Sequence, residues 1–302
     1  MRGRAFLLYA MCCTVWGSTW MVIKIGLTDL PPFLFGGIRM SIACLALIPF
    51  AWRSWRKLSR REWAWIGAVG LFQLGFSYAG VFAAERFISS GLTATLFCSY
   101  PIWAIALAHF FVPGERATAL HAGSAVLGVS GIVLLEAPLV GPVSLSPELA
   151  LAMLLPLASA ICSALGGTLQ KRHLASIPLT MNLWAQTGIG AALLMLFHVG
   201  LGQHQTPHWT VRSIAALLYL AIPGTVVAFL ALFWLYPRFP MALIGAIPLI
   251  DTVVALLLGA AILGEAVDWR LCVGGALVLT GAALASRIRV GVPEGVPLPE
   301  PP

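Results

Sequence analysis

The chain has 302 residues, 60% of them hydrophobic and 10% charged, with a formal charge of +7. A soluble domain has about 25% charged residues, so the composition excludes an ordinary soluble globular protein. The basic excess does not point to nucleic acid, because Lys and Arg fall in short loops between apolar runs, where they read as orienting charges.

Apolar stretches of about 20 residues recur along the chain, each long enough to cross about 30 Å of hydrocarbon. In chain order they predict helices over about 5–27, 33–51, 63–84, 89–111, 119–137, 148–170, 179–201, 212–235, 240–262 and 269–287. The first follows Arg2 and Arg4, as a signal peptide would. It is too long for a signal h-region and further spans follow, so it reads as an uncleaved first helix. The second runs into Trp52-Arg53-Ser54-Trp55-Arg56-Lys57-Leu58-Ser59-Arg60-Arg61, a basic loop that marks its side as cytoplasmic. Trp52, Trp55, Trp63 and Trp65 flank it as interfacial anchors.

With the N-terminus inside, the cytoplasmic side collects Arg2, Arg4, Arg53, Arg56, Lys57, Arg60, Arg61, Arg116, Lys171, Arg172, Arg238, Arg287 and Arg289. The outer side collects Arg86, Arg212 and Arg270. Ten spans return the C-terminus to the cytoplasm, which predicts a multi-pass protein of the inner (cytoplasmic) membrane with both termini cytoplasmic. Residues 290–302 are Pro-rich and predict a disordered tail. Cys12, Cys13, Cys44, Cys98, Cys162 and Cys272 all lie in apolar segments, so no disulfide, metal site or cofactor is expected.

The two halves match at an offset of about 147 to 152 residues. Trp16-Gly17-Ser18-Thr19-Trp20 aligns with Leu165-Gly166-Gly167-Thr168-Leu169, and Leu30-Pro31 with Ile177-Pro178. Arg86-Phe87 aligns with Arg238-Phe239, Gly114-Glu115 with Gly264-Glu265, and Gly131 with Gly281. An odd number of spans per half makes the second enter from the opposite face. The expected fold is all-α: ten transmembrane helices as two inverted five-helix repeats, 1–140 and 141–289. Such repeats place a site at their interface near the midplane.

These residues carry a resemblance. Trp16-Gly17-Ser18, Arg39, Pro101 followed by Gly114-Glu115-Arg116, and Gly264-Glu265 before a Gly-rich last helix resemble the EamA family of the drug/metabolite transporter superfamily. The likeness runs from about residue 5 to residue 287. It implies a ten-helix inverted-repeat fold and movement of metabolites, often export of amino acids or related compounds. In one place the chain departs from the family. Pro101 lies fourteen residues before Glu115, and the matching position in the second half holds Asp251, with Pro248 nearby.

Asp251 should lie roughly 16 Å along its helix, close to the midplane. A carboxylate there costs several kcal/mol, of order 3, unless paired, hydrated or protonated. It reads as a proton carrier or as the counter-charge of a substrate amine; the alternative is a protonated acid bonded to a neighbouring helix. Arg39, roughly 9 Å below the outer boundary, reads as an anchor for a carboxylate or phosphate, or else as a snorkelling or helix-locking cation. Lys24 has the same alternatives nearer the surface. Gln186, at the repeat-equivalent place of Arg39, reads as interhelical glue, or else as the polar counterpart of Arg39.

Trp16, Ser18, Thr19, Trp20, Gln73, Ser77, Tyr78, Ser99 and Tyr100 share mid-depth and predict a cavity wall, against simple helix packing. The candidate substrate site is therefore Trp16, Trp20, Arg39, Gln73, Tyr78, Tyr100 and Asp251, with Asp251 also the candidate for coupling. Pro101, Pro156, Pro223-Gly224 and Pro248 interrupt spans, as hinges or static bends. Glu115 and Glu265 precede helices and read as N-terminal caps. His109, near the cytoplasmic end of its helix, reads as interfacial, or else as a proton relay.

Together these readings predict a secondary transporter, not an enzyme, that moves a small organic metabolite by alternating access, with protons as the candidate coupling ion. The competing readings are a membrane-embedded enzyme and a non-transporting lipid-handling or receptor subunit. No HExxH, paired intramembrane acids or nucleophile with a base supports an enzyme, and no Walker A pattern supports ATP drive. Substrate, direction and oligomeric state are not written in these features.

Overall fold

Hydrocarbon offers the backbone no hydrogen-bond partners, so a spanning segment must satisfy its own N–H and C=O groups. Helices do this, and in the computed structural model, which describes residues 2–88, 90–136, 147–201, 205–263 and 269–287, every described element is a helix. The elements are α1 (Arg2–Leu27), α2 (Pro32–Arg53), α3 (Arg60–Ala84), α4 (Ser90–Phe97 with Tyr100–Phe111) and α5 (Ala119–Glu136). They continue as α6 (Pro147–His173), α7 (Leu179–Gly200), α8 (Val211–Leu235), α9 (Met241–Gly245 with Ile247–Leu263) and α10 (Trp269–Arg287). Each falls on a predicted apolar stretch. Among the described residues, α1–α4 and α6–α8 are long and apolar enough to cross a bilayer, while α5 and α9 contain shorter apolar helices. The protein is a multi-pass membrane protein. The predicted tail and Glu265 lie outside the described residues.

Local chemistry sets the helix starts. Ser59 accepts from the N–H of Glu62, and Glu62 reaches back to the N–H of Ser59, a reciprocal cap that opens α3. Thr210 and Ser213 make the same exchange at α8. Pro32 opens α2, where its missing N–H costs nothing.

Four interruptions depart from straight α-helix. Gly70–Phe76 in α3 and Ile222–Val227 in α8 are π-helical. α4 breaks at Cys98–Ser99 and α9 at Ala246. Pro223 lies in the π stretch of α8, and Pro101 and Pro248 follow the breaks. Pro156 sits inside an unbroken α6. The π stretch of α3 contains no proline, and nothing in the sequence marks it.

α2 packs along α7, and α5 along α10. α1 packs on α8 and α9, while α6 packs on α3 and α4. Small residues permit the closest approaches. A Cβ on Gly17 of α1 would stand 2.6 Å from the Asp251 carbonyl oxygen, and one on Gly281 of α10 2.7 Å from that of Ser124 on α5.

The two ends of the bundle are tied differently. At one end Lys171 on α6 makes an ion pair with Glu115 and donates to the Phe239 carbonyl. Glu115 also accepts from the N–H of Met241, 2.9 Å away. Glu115 thus caps α9 rather than the helix that follows it. Its preference for a helix N-terminus was readable, but tertiary packing chose which one.

At the other end Asp29, between α1 and α2, accepts from the Thr210 hydroxyl at 2.5 Å and from Arg212 at 2.9 Å. The Thr210 hydrogen bond and then the Arg212 guanidinium hold the Asp29 carboxyl below the usual carboxylate range. A depressed folded pKa stabilises the protein above the unfolded value near 3.9, and that stabilisation disappears as pH falls through the folded value. An Asp29→Asn protein is therefore expected to lose part of the acid limb of its pH–stability profile, while its neutral-to-alkaline limb keeps its shape. Thermal unfolding in detergent across pH reads this out.

Candidate functional site

α1, α2, α3, α4, α6, α8 and α9 surround a cavity with about 740 Å³ between its walls, a figure that includes the open space at its mouth. All seven candidate residues, Trp16, Trp20, Arg39, Gln73, Tyr78, Tyr100 and Asp251, line it. So do Thr19 and Ser77. Ser18 does not; its hydroxyl bonds that of Tyr219 at 2.6 Å. Ser99 is also off the wall, with its hydroxyl buried and unpartnered.

Most of the wall is apolar and aromatic. Trp16 meets Phe229 edge-on with centroids 5.3 Å apart, and Trp20 meets Phe97 at 5.8 Å. Such contacts fix ring orientation more firmly than aliphatic packing does.

Three polar features are set into this wall. The first is Arg39, which is 1% exposed. Its Nε donates to Thr225 at 3.0 Å, and its Nη2 donates to the Gly224 carbonyl at 3.3 Å and the Tyr78 hydroxyl at 3.4 Å. The guanidinium also lies over the Tyr78 ring, 4.7 Å from its centroid. Its Nη1 is buried without a partner. Arg39 neither snorkels nor locks helices by an ion pair, because no described carboxylate lies within reach of it. The π turn of α8 makes this possible. It leaves the Gly224 carbonyl turned toward both Arg39 and the Trp16 indole, which donates to it at 3.0 Å.

The second is Asp251, 4% exposed. The Trp20 indole N–H lies 3.4 Å from Oδ1 and the Thr252 hydroxyl 3.5 Å, both at the weak limit of hydrogen bonding. No described cation pairs with it. The third is Gln73, in the π stretch of α3. It donates to the Tyr236 hydroxyl at 2.9 Å, while its own Oε1 is unpartnered.

Thr225, Phe229 and Tyr236 were not singled out from the sequence. Pro223-Gly224 was the available hint for the first. For Phe229 no local signal distinguishes a cavity aromatic from a lipid-facing one, and none marks Tyr236 as the partner of Gln73. Lys24 donates to the carbonyls of Glu85 at 2.6 Å and Ile88 at 3.2 Å. Gln186 bonds Gln170 and Asn182, away from the cavity. His109 is exposed and accepts from the N–H of Ala117.

A multi-span helix bundle around an amphipathic cavity, with an unpaired cation and an unpaired acid in its wall, is the arrangement of a membrane transporter. The chain belongs to the EamA-like transporter family, which matches residues 3–136 and again 150–287. It is 28% identical over 273 residues to YedA of Escherichia coli, described as an uncharacterized inner membrane transporter, covering 88% of this chain and 85% of that one. It is 26% identical over 277 residues to a probable amino-acid metabolite efflux pump of Salmonella typhimurium, covering 88% and 89%. A solved crystal structure, 22% identical, shares the fold with a TM-score of 0.79 over 95% of this chain and 97% of that one.

Proposed function

We propose that the protein is a proton-coupled secondary transporter that exports a small carboxylate-bearing metabolite of the amino-acid class across the inner membrane. The observation that carries this reading is Arg39: a buried guanidinium with no acid partner and a free Nη1, on the wall of an aromatic cavity. A buried cation without a counter-charge is costly, and a substrate carboxylate offsets that cost through a charge-assisted fork. The aromatic wall holds an amphipathic body, and Asp251, the lone acid in the wall, carries the proton. The efflux pump relative supports the substrate class and the direction.

The architecture that goes with this function is ten spans in two inverted repeats, 1–140 and 141–289, with both termini cytoplasmic. The doubled family match supports it. So does the packing: replacing each of α1–α5 by its counterpart among α6–α10, and the reverse, turns the contacts of α1 with α8 and α9 into those of α6 with α3 and α4. The two π stretches, and the two breaks in α4 and α9, also fall on corresponding helices. Interrupted helices at a repeat interface give rocking motions their bending points.

Counterflow in proteoliposomes tests the function. Amino acids and their acidic derivatives are expected to exchange, while amines without a carboxylate are not; counterflow of amines alone would overturn the reading. Thiol labelling of intact cells tests the topology. A Lys57→Cys site is expected to be reached only from the cytoplasm and a Gln205→Cys site from outside, and the reverse pattern would exclude the orientation.

A further inference from the structure

Glu85 follows the last turn of α3 and is 0% exposed. Both of its carboxylate oxygens are buried without a hydrogen-bond partner. A carboxylate removed from water and left unpaired is among the costliest groups a fold can hold, so it must carry a proton or find a cation. The cation is near. Lys24 on α1 bears electrostatically on Glu85, yet its ammonium is spent on the backbone, donating to the Glu85 carbonyl at 2.6 Å and the Ile88 carbonyl at 3.2 Å. Those carbonyls belong to the turn leaving α3 for α4. The place is telling as well. Ile23 and Val81 line the cavity, and Lys24 and Glu85 lie next to Ile23 and one helical turn past Val81. The pair therefore sits just beyond the end of the cavity, at the same end of the bundle as Asp29 and Arg212.

We propose that Glu85 is a second proton-binding site of the transport cycle, separate from Asp251, and that Lys24 reads its charge. This rests on the transporter reading above. With Glu85 protonated, Lys24 stays on the two carbonyls, as in the arrangement seen, and pins the α3–α4 turn at that end of the cavity. When the carboxyl O–H bond breaks, the proton goes to water at this end and the new carboxylate draws the ammonium off the carbonyls. The turn is then released and the α3–α4 hairpin is free to move. Protonation from the outside thus favours the pinned state and deprotonation the mobile one. Other charges around Glu85 do not duplicate this role. Arg86 beside it is exposed, and Arg39 on α2 is committed to Thr225 and Gly224. Asp29 is held by Thr210 and Arg212. Glu148 near the start of α6 already has a partner.

Infrared difference spectroscopy of the purified full-length protein across a pH step, without substrate, tests the site. The wild type is expected to show two protonated-carboxyl signals, one of which is lost in Glu85→Gln and kept in Asp251→Asn. Lys24→Gln, with Glu85 intact, is expected to move the midpoint of that signal to higher pH, because a stabilising cation has gone. In proteoliposomes, initial efflux of Glu85→Gln should depend less steeply on external pH than that of the wild type, the remaining dependence being that of Asp251. Both carboxyl signals unchanged in Glu85→Gln would overturn the proposal, as would an unmoved midpoint in Lys24→Gln; the second holds even where Glu85→Gln does not fold. Since the infrared reading uses no substrate, failure of amino-acid counterflow leaves it intact. Normal counterflow without a Glu85 signal removes the proton site alone.

Discussion

Asp251→Asn is expected to abolish proton-driven accumulation of substrate while substrate-for-substrate exchange persists. The substitution keeps the shape of the side chain and an oxygen for the weak contacts from Trp20 and Thr252. On the proposed reading it removes the acidic proton that the described cavity wall loads and unloads. Without it a pH gradient has nothing in the cavity to act on, but a cavity that still binds substrate can still alternate. The comparison is made in proteoliposomes, with accumulation under an imposed gradient set against counterflow at equal pH. Equal loss of both would mean that Asp251 pairs a substrate amine and does not couple. Unchanged gradient-driven accumulation in a well-folded Asp251→Asn protein would remove the coupling role.

Arg39→Met is expected to weaken substrate binding by about 100-fold, the factor worth about 3 kcal/mol for a hydrogen-bonded charge. Methionine fills much of the same space but leaves Thr225, the Gly224 carbonyl and the substrate carboxylate without their shared donor. Arg39→Lys separates charge from geometry. It keeps the cation but cannot bridge Thr225 and Gly224 while also presenting a planar fork, so it should recover only part of the loss. Binding is read by substrate-induced thermal stabilisation of the purified protein. Because removing Arg39 also disturbs the contact between α2 and α8, unliganded stability is measured alongside. A stable Arg39→Met protein with wild-type affinity would show that the guanidinium only joins the two helices.

The spans were legible because hydropathy is a local property and hydrocarbon admits little but helix. The capping pairs of α3 and α8 are local too, each within four residues, but they became evident only in the structure. Depth along a helix follows from a fixed rise per residue, so Trp16, Trp20, Gln73, Tyr78, Tyr100 and Asp251 could be assigned to one layer before any packing was known. The structure brings them, with Arg39, around one cavity.

What depth does not contain is partnership, and that only the tertiary structure decided. Glu115 meets Met241 and Lys171, Gln73 meets Tyr236, and Arg39 meets Thr225, all across gaps in sequence that no short pattern encodes. The π stretch of α3 has no proline to announce it; it packs on α6 and α7, and its Gly70 and Gly75 lie close against α7. Glu85 is the sharpest case. In the sequence it is one acid in a polar turn, and an acid in a turn ordinarily faces water. Only the packing of the helices around that turn buries it, leaves both oxygens unpartnered and sets Lys24 beside it, because burial belongs to the assembled bundle and not to any single segment.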